Sequence, residues 1–146
     1  MQKTFSHEIT VDLAVSQAFP LFTPKGEESW VPGWKPNYIQ PATGETCEEM
    51  IFTTGESEEK TFWTCLSWEP DKWHVRYLRI TPASRVAFVD VRCTPVADDR
   101  TQVRVVYEMR ALTDVGHSHI EDLSEDAFVK SIDEWADLIS SLTVNR

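Results

Sequence analysis

One long amphipathic helix closes a chain that otherwise reads as strands, and that imbalance narrows the folds open to it. Phe128, Ile132, Trp135, Ile139 and Leu142 recur at spacings of four, three, four and three, which lines them up as one apolar stripe. Lys130, Asp133, Glu134 and Asp137 form the wet side. Ser124 can cap this helix, and Glu125 and Asp126 suit the positive end of its dipole. A single stripe of this kind has to be buried against a sheet. One helix cannot fill the hollow of a wide curved sheet, so the pattern predicts leftover interior space. Apolar interior space with a few polar groups is the usual form of a ligand site.

The strands are read from alternation and turn chemistry. Thr4 to Val11 places Phe5, His7, Ile9 and Val11 on one face and Thr4, Ser6, Glu8 and Thr10 on the other. Further strands are predicted at Asn37 to Gln40, Glu48 to Thr54, Lys60 to Glu69, Lys72 to Thr81, Ser84 to Thr94 and Thr101 to Leu112. Short separators rich in Gly, Pro and Asp, such as Glu69-Pro70-Asp71 and Ala97-Asp98-Asp99, favour hairpins and an antiparallel sheet. The last strand alternates best, with Val103, Val105, Tyr107 and Met109 on one face. Phe62-Trp63-Thr64-Cys65-Leu66 is apolar on both faces, and its inner face stays open. Two short helices are predicted after the first strand. Ser16 caps one that runs to Phe22, and Thr23-Pro24 starts the other with Pro at the first helical position. Gly116 to Leu123 reads as an extra helical turn before the long helix.

Between the short helices and the sheet lies Trp30-Val31-Pro32-Gly33-Trp34-Lys35-Pro36. Its prolines and glycine stop regular structure, while two tryptophans bring large apolar area. Such a segment serves to plug one end of a hydrophobic interior.

At 146 residues the chain suits one domain, residues 1–146, with a sizeable core. Six Trp and seven Phe are many for this length, and aromatic area dominates core and pocket energetics. A net charge of −10 argues against nucleic acid and against anionic membrane surfaces. No apolar run approaches spanning length, so no membrane insertion is expected. Cys47, Cys65 and Cys93 form no CxxC pair and read as free, buried thiols in a reducing compartment. With no apolar signal core at the N-terminus, the expected location is cytoplasmic.

The order of elements and four stretches together resemble a known superfamily. The stretches are Ala18-Phe19-Pro20-Leu21-Phe22-Thr23-Pro24, Trp30 to Trp34, Arg79 to Val86 and Ile132-Asp133-Glu134-Trp135. They are similar to the START/Bet v 1-like superfamily, also called SRPBCC, and within it to a bacterial branch of small single-domain proteins. The resemblance covers nearly the whole chain. It implies an α+β helix-grip fold: a curved antiparallel sheet of about seven strands wrapped around a long C-terminal helix, with two short helices after the first strand. It also implies a cavity. No catalytic motif carries over, and fold alone does not assign function.

The residues expected at a ligand are His7, Trp30, Trp34, Trp63, Tyr77, Arg79, Tyr107, Met109 and Trp135. His7 sits on an apolar strand face, where an imidazole could move a proton or donate a hydrogen bond. Arg79 shares a strand face with Tyr77 and Val75. Turned inward it would hold a carboxylate or carbonyl; the alternatives are an outward charge or an internal pair with Asp90. Tyr107, Met109 and Trp135 offer an aromatic lining for a flat or greasy ligand. Trp30 and Trp34 suit a plug or a gate. His117-Ser118-His119 lacks a third ligand with sensible spacing, so solvent-facing histidines are expected and no metal. No motif suggests a cofactor.

Three functions fit these residues. The first is binding of a small hydrophobic or amphipathic molecule. The second is an enzyme on the same cavity, such as a cyclase, dehydratase or hydrolase of polyketide-like or aromatic substrates. The third is an interaction domain, a homodimer, with its cavity filled by its own side chains.

Overall fold

The computed structural model describes residues 1–144, the side chains of 143 and 144 excepted. Strand β1 (Gln2–Val11) leads into helix α1 (Val15–Ala18), a 3-10 turn (Phe19–Phe22) and helix α2 (Pro24–Glu27). Strands β2 (Asn37–Gln40), β3 (Ile51–Thr54), β4 (Thr61–Glu69), β5 (His74–Thr81), β6 (Arg85–Ala97) and β7 (Arg100–Ala111) follow. Helices α3 (Asp114–Glu121) and α4 (Glu125–Val144) end the described chain. The sheet is antiparallel throughout, with seven strands in the order β1-β7-β6-β5-β4-β3-β2. Consecutive strands from β2 to β7 pair as hairpins, and β1 closes back onto β7. This is the helix-grip arrangement.

The caps show why the helices start where they do. Thr23 Oγ1 accepts from the Gly26 amide at 3.0 Å, with Pro24 at the first position of α2. Ser124 Oγ accepts from the Ala127 amide at 3.1 Å at the head of α4. The Ser16 cap is a correction: α1 begins at Val15 after Ala14 and has no side-chain cap, so Ser16 lies inside it. Pro20 then tightens the continuation into a 3-10 turn, because it lacks an amide hydrogen to donate. Strand β3 starts three residues later than expected, since Glu49 takes a positive φ of 66° and breaks the extended run. Trp73, expected within β5, also has a positive φ (55°) and turns the chain into that strand.

Helix α4 lies across β1 and β7. Phe128 packs edge-on against Phe5 at 5.5 Å and tilts over Tyr107 at 5.0 Å. Two turns further along the same stripe, Trp135 meets Trp30 at 5.6 Å and Phe22 at 6.1 Å. The plug is therefore clamped between α4 and the short helices. Helix α3 is held against the β5–β6 turn at Gly116. A Cβ there would lie 1.8 Å from the Ser84 carbonyl oxygen, so only glycine permits the approach. Among the described residues, no helix is long and apolar enough to cross a membrane.

Candidate functional site

Two rows of side chains cross the concave face of the sheet. Cross-strand register sets Trp63, Arg79, Ala87 and Met109 side by side in one row. Cys65, Tyr77, Val89, Tyr107 and Phe5 form the next. Register thus decides what alternation could not: Trp63 and Cys65 face inward, while Phe62 and Leu66 are exposed. Ala87 is the smallest member of its row and is fully buried, and open space borders Arg79.

That space forms two chambers. The inner one holds about 140 Å³ and is walled mainly by rings, with Trp34, Phe52, Trp63 and Trp135 prominent. The outer one holds about 230 Å³ and runs between Phe5, Met109, Phe128 and His119 towards the exposed Ser124, Ala127 and Ser131 of the α4 side. Arg79 and Tyr107 line both. The interior is not filled by its own side chains, which corrects the expectation attached to the interaction-domain alternative.

Arg79 points inward. Its guanidinium lies over the Tyr107 ring at 5.0 Å and the Trp63 ring at 5.6 Å. Such cation–π contacts offset part of the cost of burying charge. Among the described residues no carboxylate lies within 4 Å of it. The Asp90 pairing is corrected: Asp90 is on the convex face, where its carboxylate meets His74 Nε2 at 2.8 Å. The same imidazole contacts Glu69 through Nδ1 at 2.8 Å.

Glu27 was missed by sequence reasoning. It ends the four-residue helix α2 and reads as one charge in the wet segment Lys25–Glu28, so no local signal sets it apart. Lys25 and Tyr38 both turn to Glu28 instead, at 3.6 Å and 2.6 Å. Glu27 is left facing the inner chamber. Burial pushes its pKa up from 4.5 to about 8, and the charge of Arg79 pulls part of the way back. The carboxyl is therefore largely protonated at neutral pH.

The tyrosines differ in freedom. Tyr77 lines the inner chamber, but its hydroxyl donates to the Phe22 carbonyl at 2.9 Å and is committed to the fold. Tyr107 is raised above the ordinary phenol range by burial, with Arg79 opposing. Both stay neutral. Cys65 and Cys93 are buried and free, their thiols pushed up to about 12 by burial. Cys47 is free and half-buried rather than buried.

Of the residues expected at a ligand, Trp34, Trp63, Tyr77, Arg79, Tyr107, Met109 and Trp135 line one or both chambers. His7 and Trp30 do not. His7 is on the inner face as expected, but β1 is an edge strand roofed by α4. Its Nε2 meets Asp133 on that helix at 2.7 Å, outside both chambers. Trp30 is 6% exposed and packed behind the chamber wall, its indole N–H given to the Leu21 carbonyl at 2.7 Å. His117 is exposed, as expected. His119 is a further correction: two residues on, and so on the opposite side of α3, it turns into the outer chamber. Burial, with Arg85 nearby, lowers its pKa below 6.5 and keeps it neutral at pH 7. Among the described residues no group of three or more His, Cys, Asp or Glu could hold a metal ion.

No protein-family profile and no curated protein sequence matches the chain. Solved structures do. Norcoclaurine synthase from Thalictrum flavum, in complex with dopamine and hydroxybenzaldehyde, superposes with a TM-score of 0.69 at 14% identity, over 100% of this chain and 88% of that one. A hypothetical protein from Helicobacter pylori matches with 0.76 at 9% identity, over 96% and 87% of the two chains. An aromatase/cyclase from a Streptomyces species matches with 0.57 at 14% identity, over 99% and 90%. At these identities the likeness carries the fold: the chain has the helix-grip fold of START/Bet v 1-like proteins, as its sequence resemblance implied.

Proposed function

We propose that this chain binds a small amphipathic molecule in its interior, with an acidic or carbonyl oxygen held by Arg79 and an apolar ring among the tryptophans of the inner chamber. The observation that carries this reading is Arg79 itself, a cation inside an aromatic cavity with no carboxylate within 4 Å among the described residues. Burying such a charge is costly unless something repays it. A ligand oxygen would do so through charge-assisted hydrogen bonds. Burial of the ligand's apolar surface, at about 25 cal/mol per Å², would supply the rest. Two of the fold neighbours lend support in kind: one was captured with small aromatic molecules and another is an aromatase/cyclase.

Titration with 4-phenylbutanoate, followed by calorimetry, tests the reading. Arg79→Met is expected to lose at least about tenfold in affinity, the equivalent of one charge-assisted bond. Its melting temperature is expected to hold or rise, because an uncompensated buried charge has been removed. Unchanged affinity in the variant would overturn the assignment of Arg79. A lowered melting temperature with unchanged affinity would make it a structural residue.

A second reading, an enzyme on the same cavity, is favoured by Glu27. The proton-moving role first assigned to His7 falls to this carboxyl, which faces the same chamber as Arg79. In its neutral form Glu27 can give a proton to a leaving hydroxyl or a carbonyl oxygen. As a carboxylate it can take one from the carbon beside a carbonyl that Arg79 polarises. A minimal assay is exchange of solvent deuterium into the α-carbons of 4-phenylbutan-2-one, read by NMR. Catalysed exchange that Glu27→Gln abolishes while the ketone still binds is expected of an enzyme. No exchange above buffer leaves the protein a binder.

A further inference from the structure

We propose that the interior takes one elongated ligand across both chambers, with its carbonyl or acidic oxygen at Arg79 and an apolar arm on each side. This rests on the binding reading above and adds the shape and class of the ligand: a two-armed aryl molecule whose polar oxygen lies between its arms, not at one end.

Three observations carry the inference. Arg79 and Tyr107 are the residues shared by the two chambers, so the guanidinium forms their common wall. A guanidinium offers five N–H donors in a planar fork, and here its central carbon lies over the Trp63 and Tyr107 rings. The donors at its edge can meet an oxygen lodged between the chambers.

The volumes agree with this. An enclosed apolar space of roughly 150 Å³ accepts a molecule the size of benzene. The inner chamber, at about 140 Å³, therefore has room for one six-membered ring and little else. At about 230 Å³ the outer chamber is larger and has its own apolar wall, Phe5, Met109 and Phe128. A one-ring ligand seated in the inner chamber would leave that wall uncovered.

The third observation is direction. Ser124, Ala127 and Ser131 at the outer chamber are exposed, whereas the inner chamber is bordered by half-buried Val31 and Trp34 of the plug. A ligand entering from the outer side passes Arg79 before reaching the ring-lined end. Its trailing arm then stays in the outer chamber, where neutral His119 and the Ser124 hydroxyl can meet a polar substituent at the far end.

The test compares three ketones by calorimetry: two-armed 1,3-diphenylpropan-1-one, and one-armed 4-phenylbutan-2-one and 1-phenylpropan-1-one. Wild type is expected to bind the two-armed ketone at least about tenfold more tightly than either of the others, one factor of ten being 1.4 kcal/mol. Ala127→Trp, at an exposed helical position, fills the outer chamber. It is expected to erase that advantage, bringing the two-armed ketone down to the affinity of the one-armed ones. Ser131→Phe is the substitute if Ala127→Trp does not fold. Val31→Phe narrows the inner chamber and is expected to weaken all three. Equal affinities in wild type, or an advantage that survives both outer-chamber variants, overturn the two-chamber inference alone. Failure of all three ketones and of 4-phenylbutanoate to bind wild type overturns the binding reading and this inference with it.

Discussion

Glu27→Gln is expected to be more stable than the wild type at pH 8.5 and no more stable at pH 4. The sign follows from proton counting. In the unfolded chain Glu27 releases its proton near pH 4.5; in the fold it holds the proton to about pH 8. Between those values the folded state binds more protons than the unfolded state, so stability falls as pH rises. Above pH 8 the carboxylate is charged in both states and the loss is complete. At about 1.4 kcal/mol per unit the ceiling is about 5 kcal/mol. Water admitted to the chamber screens the charge, so a difference of about 2–3 kcal/mol is expected. The substituted amide is neutral at every pH and avoids that loss. Urea unfolding of both proteins from pH 4 to pH 9 measures the difference, and titrations elsewhere in the fold cancel between them. A gap that does not grow with pH would mean that Glu27 is solvated like any surface carboxylate. The acid–base reading would go with it.

Trp30→Ala is expected to cost about 3–5 kcal/mol, the range for losing a large buried aromatic. Three supports vanish together. The ring leaves its edge contacts with Phe22 at 5.9 Å and Trp135 at 5.6 Å. The Leu21 carbonyl loses its indole partner. The wedge between α4 and the short helices is lost. Trp34 is the control. Its indole also anchors a backbone carbonyl, that of Pro24 at 2.9 Å, but its ring is half-buried and borders existing space beside Phe52 and Trp63. Trp34→Ala enlarges a chamber already present, so it is expected to cost less stability and to change ligand affinity more. Denaturant midpoints for the two variants, set beside titration of one ring-bearing ligand, test the pair. The opposite ranking would mean that the plug and the lining have been assigned the wrong way round.

How far the site was legible depends on where each residue sits in the sheet. Tyr107 and Met109 were readable because β7 alternates, with one face polar and one apolar. Arg79 could be named but not oriented. On β5 the apolar residues fall on both sides, so Arg79 inward and Arg79 outward have the same pattern. His7 was read on the correct face and still misplaced, because pattern identifies a face and not what covers it. Over β1 the cover is α4, and Asp133 from its wet side takes up the imidazole. His119 differs from His117 only by its angle around α3, which the contact of Gly116 with Ser84 sets.

What the sequence determined by itself is the fold. Strand and helix periods are local properties of the backbone, turns are set by a few residues, and one amphipathic stripe among seven strands leaves the helix a single kind of surface to cover. The interior chemistry was decided by tertiary structure alone. Cross-strand register set Trp63 and Arg79 side by side on the concave face, and Arg79 and Tyr107 came to border both chambers. Glu27 acquired its proton only because α2 folds over that space. Its pKa is a property of the surrounding low-polarity volume, and no residue within reach along the chain encodes that volume.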